Sequence, residues 1–347
     1  MTHTLPELGF SNFYQSQLTL EEVETDHPLR VMEVHRNALD TLGETGPHRV
    51  PMTGDLIDHG VAVGDWVLAD RETNRPTRVL ERKSTIQRRG AGDEPTAQLI
   101  AANIDTLFIT SSCNADFNLA RLERYLALAR QADVEPVVVL TKADLCDDPA
   151  IFRQKLEIGM PGVAVETIDS QSPDTLEQLA PWCGKGQTVA LIGSSGVGKT
   201  TITNCLTGRE ILTRAIREDD AKGKHTTTTR SMYHMINGGW LIDTPGMRAL
   251  RLYDVAEGVD IVFKDVASLV TQCRFNDCAH DTEPGCAIQA AIEAGDLDAD
   301  RLKRWQKLQR EDTRNSETIA QSRARFKGLA KKYRGGKAHG AIKRGDH

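Results

Sequence analysis

The sequence predicts a multi-domain chain, with a small all-β unit first, a larger α/β unit in the middle and a helical unit last. Three observations carry this. Short β-prone runs punctuated by Gly, Pro and Asp fill residues 29–80. From Ala101 onward, apolar runs alternate with helical patterns, the rhythm of a parallel sheet covered on both faces. Three cysteines and a histidine then cluster within residues 273–286. At 347 residues the chain also exceeds one ordinary core.

Composition bounds the rest. An apolar fraction of 39% suits a water-soluble protein, and no apolar run approaches the ~20 residues of a membrane span. Met1 to Phe10 contains Pro6 and Glu7 and no basic n-region, so it does not read as a secretory signal. A cytoplasmic location is expected. Net charge is −6, unevenly spread. Residues 310–347 hold eleven Lys/Arg against four Asp/Glu, a balance of +7 that leaves −13 on the remainder. A basic end of this kind suits a polyanionic partner. Of seven cysteines, Cys113, Cys146, Cys183 and Cys205 are scattered. The spacing is no disulfide framework.

In chain order, residues 1–27 form a short mixed segment in which Leu8-Gly9-Phe10 and Phe13-Tyr14 can anchor a helix. Arg30–His35, Val61–Ala69 and Thr77–Glu81 read as strands of a β domain over 28–89, with Gly64-Asp65 turning into Trp66-Val67. An OB-type barrel is the expected nucleic-acid-binding fold at this size; the pattern also allows an SH3-like barrel. Residues 82–100 are basic and then Gly-rich, and 90–100 is expected as a linker, with Arg82, Lys83, Arg88 and Arg89 able to follow a phosphate backbone. The α/β domain is placed at 101–258. Its expected strands are Ile104–Thr110, Val134–Leu140, Val163–Ile168, Thr188–Ile192 and Trp240–Ile242, with an amphipathic helix over Asn118–Gln131. A helical domain follows at 259–310, ending in the helix Asp298–Leu308, and a basic tail at 311–347.

The chemistry centres on Gly193-Ser-Ser-Gly-Val-Gly198-Lys199-Thr200, which follows a strand and opens a helix. That is the context of a phosphate-binding P-loop. Glycines let backbone N–H groups turn inward around phosphate oxygens, and the helix N-terminus adds partial positive charge. Lys199 would bridge the β- and γ-phosphates, and the Thr200 hydroxyl would hold Mg²⁺. Asp243-Thr-Pro-Gly246 closes a later apolar strand; its carboxylate suits Mg²⁺, and the Gly246 N–H can sense a γ-phosphate. Between them, Gly223-Lys-His-Thr-Thr-Thr-Thr-Arg230 offers hydroxyls that can complete the Mg²⁺ shell, with Thr227 or Thr228 expected as the ligand.

Thr141-Lys142-Ala143-Asp144 follows the strand ending at Leu140. A carboxylate at Asp144 accepts from guanine N1–H and the 2-amino group together, whereas adenine would leave it unpaired, at a cost of about 1.5–3 kcal/mol. GTP is therefore expected over ATP, with Lys142 along the base plane and Ser170 as a second base-side contact. This base reader precedes the P-loop, the reverse of ordinary GTPases, so the motif order is circularly permuted. A parallel sheet permits that, because its strands need only occupy their places. Cys273-x4-Cys278-x-His280-x5-Cys286 supplies three thiols and an imidazole, the set that closes a structural Zn²⁺ tetrahedron.

These motifs together resemble the ribosome small-subunit-dependent GTPase A family, RsgA or YjeQ. The resemblance runs from about residue 5 to 310 and includes LGFSNFY, VGDWV, AANIDTLFI, DFNLARLERYL and CRFNDCAHDTEPGCAI. It implies an N-terminal OB domain, a permuted GTPase and a C-terminal zinc domain carrying one Zn²⁺, with Mg²⁺ accompanying GTP. By position it implies GTP contacts at Thr141, Lys142, Asp144, Gly193, Ser194, Ser195, Gly196, Val197, Gly198, Lys199, Thr200 and Thr201. Cys273, Cys278, His280 and Cys286 are the implied zinc ligands. The expected partners are the 30S subunit and its 16S rRNA, with GTP or GDP, no DNA and no membrane, the chain acting as a monomer late in subunit maturation. Two departures stand out: Thr141 occupies a place where the family more often has Asn, and Ala249 one where an acid is frequent. Met247 sits where Ras-like enzymes keep a water-orienting Gln, so slow intrinsic hydrolysis is expected, with His225 as a candidate for the missing group. Two rival readings are a GTPase acting on another RNA or protein, and a non-enzymatic RNA-binding module with a structural nucleotide site.

Overall fold

The computed structural model describes residues 2–53, 56–57, 60–89, 97–169, 171–172, 174–209, 231–243 and 255–313. The strands are β1 (Asp26–Val34), β2 (Ala38–Gly43), β3 (Gly46–Pro51), β4 (Trp66–Asp70), β5 (Pro76–Val79), β6 (Thr85–Arg89), β7 (Ala97–Ala102), β8 (Thr106–Ser112), β9 (Glu135–Thr141), β10 (Ala164–Thr167), β11 (Thr188–Gly193), β12 (Ser231–His234) and β13 (Trp240–Asp243). The helices are α1 (Asn12–Gln15), α2 (Leu20–Thr25), α3 (Leu119–Gln131), α4 (Ala150–Gly159), α5 (Asp174–Leu179), α6 (Lys199–Thr207), α7 (Ala256–Val262), α8 (Lys264–Val270) and α9 (Ala287–Ala294). A further helix, α10, runs over 299–313. None is long and apolar enough to cross a membrane.

The middle of the molecule is a parallel sheet in the order β10-β9-β8-β11-β13. Its inner strands β8, β9 and β11 are buried along nearly their whole length because both faces are covered, whereas edge strand β10 is half-buried. Leu107, Ile109, Val138, Leu140 and Ile192 face one core with Leu122 and Leu126 of α3. The alternate residues Phe108, Val137, Val139, Val189 and Leu191 face the other, with Ile202 and Leu206 of α6. Asn118 caps α3 rather than belonging to it, its side chain accepting from the Arg121 N–H at 3.0 Å.

The N-terminal β unit is antiparallel, in the order β3-β2-β1-β4-β5. Its core is Leu29, Val31, Leu39, Val50, Leu56, Val67 and Ala69. No ladder joins β3 to β5 among the described residues, so what is shown is an antiparallel sheet rather than a closed barrel. The two units are one sheet, because β12, antiparallel to β13, also pairs with β1 at Glu33↔Ser231. Arg30, only 1% exposed, locks this junction. Its guanidinium donates to the Leu8 and Asn103 carbonyls and to Thr188 Oγ1, and lies over Trp66. Burial lowers its pKa to about 10.

Of the linker expected over 90–100, residues 97–100 belong to strand β7, and 90–96 lie outside the described residues. β6 and β7 pair as an antiparallel ribbon. Arg82 turns inward to buried Asp65, with nitrogen–oxygen distances of 2.7 and 2.8 Å, and Lys83 pairs with Asp105 at 3.0 Å. The expected turn at Gly64 is present, and a Cβ there would fall 2.2 Å from the Ala102 carbonyl oxygen.

The helical unit is seated on α3. Gly258 of α7 comes so close that a Cβ would lie 2.1 Å from the Ala127 oxygen. Beside it, fully buried Glu123 accepts from Arg304 Nε at 2.9 and 3.1 Å and pairs with Arg301 at 3.4 Å. Burial raises the Glu123 pKa, and the two arginines oppose that shift. The helix expected at Asp298–Leu308 runs on to the end of the described residues at 313.

Candidate functional site

The carboxyl ends of the five parallel strands open onto one edge, where open α/β sheets place their ligands. β11 ends at Gly193, which pairs with Thr110 of β8; Ser112 of β8 pairs with Thr141, the last residue of β9. The glycine loop and the TKAD turn therefore leave the same edge on either side of β8. Two strand spacings separate them, roughly 10 Å. Thus the reversed motif order brings both motifs to one crevice.

The loop's glycines are needed where the backbone crowds. Gly193, Gly196 and Gly198 have φ of +153°, +77° and +93°, and a Cβ on Gly193 would sit 2.3 Å from the Thr110 oxygen. Val197 is buried beneath the loop, while Ser195 and Gly196 are exposed at its crest. Gly198 caps α6, whose first turn carries Lys199, Thr200 and Thr201. The Lys199 ammonium folds over the loop, donating to the Gly193 carbonyl at 2.7 Å and to that of Ser194. A lysine folded over a glycine loop that opens a helix N-terminus is suited to an anion, since the ammonium and the first-turn N–H groups are both positive.

Thr141 is fully buried, and its hydroxyl lies 2.6 Å from the Val197 carbonyl and 3.2 Å from that of Ser111. One hydroxyl proton thus ties the TKAD turn to the glycine loop. Sequence reasoning did not assign this role, and no periodicity or spacing signals it. Lys142 then takes a left-handed conformation, φ +58°, and Asp144 sits in the 3-10 turn Ala143–Leu145 that follows. That turn leaves Lys142 half-buried and Asp144 exposed at the same sheet edge.

Asp243 closes β13, the strand beside β11, and pairs in register with Ser231. Thr200 and Asp243 thus belong to neighbouring segments of the same edge, which fits a shared hard cation held by oxygen donors. Ser170, His225, Thr227, Thr228, Gly246, Met247 and Ala249 lie outside the described residues.

The second candidate centre is the Cys/His cluster. Its four ligand atoms lie within 4.8 Å of one another. Cys273 Sγ is 3.6 Å from His280 Nδ1 and 3.9 Å from Cys286 Sγ, and the last two atoms are 3.7 Å apart. A tetrahedron with Zn–S bonds of ~2.3 Å has edges of roughly 3.8 Å, so donor set and spacing fit zinc. Outer contacts hold the ligands in place. The Glu283 carboxylate accepts from the N–H groups of Ala279, Asp281 and Thr282, Gln289 donates to the His280 carbonyl at 2.6 Å, and Trp305 lies against the His280 ring. None of the seven cysteines is in a disulfide. Burial pushes Cys113 up to about 11 and Cys183 up to about 12, so neither is a thiolate at neutral pH.

Comparison with known proteins agrees with this geometry. Residues 79–253 match the family model described as RsgA GTPase. The small ribosomal subunit biogenesis GTPase RsgA of Mesorhizobium japonicum is 48% identical over 317 residues, covering 90% of this chain and 91% of the relative. RsgA 2 of Vibrio vulnificus, carrying the same description, is 47% identical over 336 residues, covering 96% and 95%. Among solved structures, YjeQ from Thermotoga maritima superposes with a TM-score of 0.62 at 24% identity, covering 82% of this chain and 97% of that one. YloQ, described as a circularly permuted GTPase, gives 0.59 at 23%, covering 82% and 94%. These two likenesses speak for the fold.

Proposed function

This chain belongs to the RsgA GTPase family, and on that premise we propose that it binds the small ribosomal subunit, assists its late maturation and hydrolyses GTP there to trigger its own release. The observation that carries this reading is the shared crevice: the TKAD turn and the glycine loop leave one sheet edge on either side of β8, tied by the Thr141 hydroxyl.

Each residue then has a task. Asp144 reads the guanine edge, Lys142 lies along the base and Ser170 supports the far side. The N–H groups of Gly193 to Thr201 surround the phosphates. Lys199 exchanges its loop carbonyls for β- and γ-phosphate oxygens and stabilises the charge that develops on them. Thr200 and Asp243 hold Mg²⁺, which when bound neutralises phosphate charge. Thr227 or Thr228, with Gly246, registers the γ-phosphate. Met247 cannot orient water, so His225 or a group supplied by the subunit completes hydrolysis, and basal turnover is slow.

Cys273, Cys278, His280 and Cys286 hold one structural Zn²⁺, closing residues 259–310 as a domain whose own apolar core is small. Residues 28–89 act as an OB-type domain. With the zinc domain and the basic residues 311–347 it grips 16S rRNA, while 101–258 forms the permuted GTPase. The chain works in the cytoplasm as a monomer and needs neither DNA nor a membrane. The test is GTP turnover with and without mature 30S subunits at stated salt, since phosphate contacts are salt-dependent. Turnover is expected to rise by at least tenfold with subunits. No rise in a protein that binds GTP, or a Lys199→Ala variant that keeps full turnover, defeats the reading.

A further inference from the structure

Four strands share one register row. Asp40 on β2 pairs with Glu33 on β1, Glu33 with Ser231 on β12, and Ser231 with Asp243 on β13. Directly paired residues on neighbouring strands project to the same face. At the joint the Ser231 hydroxyl lies 3.3 Å from Glu33 Oε2. On the far side of Glu33, His35 Nε2 is 3.7 Å from its carboxylate and 2.8 Å from that of Asp40, which also pairs with Arg49 at 3.3 Å. One end of the row is thus the carboxylate assigned to Mg²⁺, and the other lies inside the N-terminal β unit.

Among the described residues, β12 meets β13 at four register positions and β1 at Glu33. β1 is held by β4 along Asp26–Arg30, and its register with β2 shifts between Val31 and Glu33. A bulge at that point bends the strand and increases its twist, so Glu33 lies beyond the bend from the Asp26–Arg30 ladder. In sequence, Ser231 directly follows the threonine-rich stretch ending at Arg230.

We propose that Glu33 is a positioning residue through which occupation of the Mg²⁺ and γ-phosphate site is felt by the N-terminal β unit. The proposal rests on the guanine-nucleotide reading of the crevice. A cation held at Asp243 fixes the end of β13. Ser231, paired opposite, follows it. Glu33 follows Ser231 through the ladder and the hydroxyl–carboxylate bond, and β2 follows through Asp40. Linkage makes the effect reciprocal: whatever grips the β unit changes affinity at the nucleotide site by the same factor.

The test is amide hydrogen exchange on the full chain, with Mg²⁺ and either GDP or a non-hydrolysable GTP analogue. Exchange at residues 31–34 and 38–41 is expected to differ by about fivefold or more between the two nucleotides. Glu33→Ala and Ser231→Ala should each flatten that difference while nucleotide affinity and basal turnover persist, and Ser231→Thr, which keeps the hydroxyl, should retain it. If Glu33→Ala does not fold, Ser231→Ala alone decides. Nucleotide affinity is measured on the same samples. A chain that binds both nucleotides without any exchange difference, or serine and glutamate variants that keep the difference, overturn the coupling alone. A chain that binds neither overturns the nucleotide reading with it.

Discussion

Thr141 shows how one atom can stand in for a larger side chain. Where the family more often has Asn, a hydroxyl with a single proton spans from the TKAD turn to the Val197 carbonyl. Thr141→Val keeps the shape and removes the donor, leaving a buried carbonyl unpaired. It should weaken guanine-nucleotide binding by about 1–2 kcal/mol, roughly 5–30-fold, in a fluorescent-GDP titration; Thr141→Ser should stay close to wild type. Gly193→Ala is the harsher change. Its Cβ would meet a backbone oxygen of the neighbouring strand at 2.3 Å, which no rotamer can relieve. Loss of nucleotide binding is expected, read by the same titration. Residue types and spacing single out Asp144, Lys199 and the Cys/His cluster as candidates, because the proposed chemistry demands those atoms. The Thr141 bond was not legible, since it depends on which carbonyl of a distant loop lies overhead. Arg30 was hidden likewise, because a buried guanidinium is recognised by the three acceptors around it and not by its neighbours in sequence.

Among elements, the parallel strands were readable as unbroken apolar runs, within a residue or two of their ends. β12, Ser-Met-Tyr-His, was not, because four residues of mixed polarity carry no usable period. β7 is hidden likewise, because the Gly-rich stretch before it reads as a linker over 90–100. Two elements invite measurement. α2 is fastened by a capping box at Thr19 and by Arg78, whose bond to Glu22 chiefly, then the Thr19 N–H, lowers the Glu22 pKa from 4.5 to about 2. A depressed carboxylate contributes stability that is complete above pH ~4.5 and is lost as pH falls towards 2. Acid unfolding should therefore begin at a higher pH in Arg78→Met than in wild type, followed by circular dichroism; the effect is small, since the pair is partly exposed. At α3, Glu123 sits buried between Arg304 and Arg301. Removing one partner of a buried pair costs about 3–5 kcal/mol, so Glu123→Ala should lower denaturation midpoints sharply. The cysteine loop gives a third case. Chelation, or Cys286→Ser, should remove one zinc per chain by native mass spectrometry and melt the helices of 259–310 before the parallel sheet.

For the whole molecule, the order of units along the chain was legible from the change of pattern at residues 80, 101 and 259, but their union was not. Pairing between Glu33 and Ser231 joins residues 198 positions apart, and no local signal announces such a contact. Among the described residues, the β unit expected over 28–89 is an antiparallel sheet that continues into the central one through β1, which pairs with β2, β4 and β12. That shared strand has a consequence for biosynthesis. Arg30 and Glu33 leave the translating ribosome far ahead of Thr188 and Ser231, the groups that complete their bonding. At 5–20 residues per second the interval is roughly 10–40 s. For that time the nascent chain exposes a half-finished strand edge and an arginine lacking a buried acceptor, so chaperone engagement should concentrate on chains arrested before residue 231 and fade on those released beyond it.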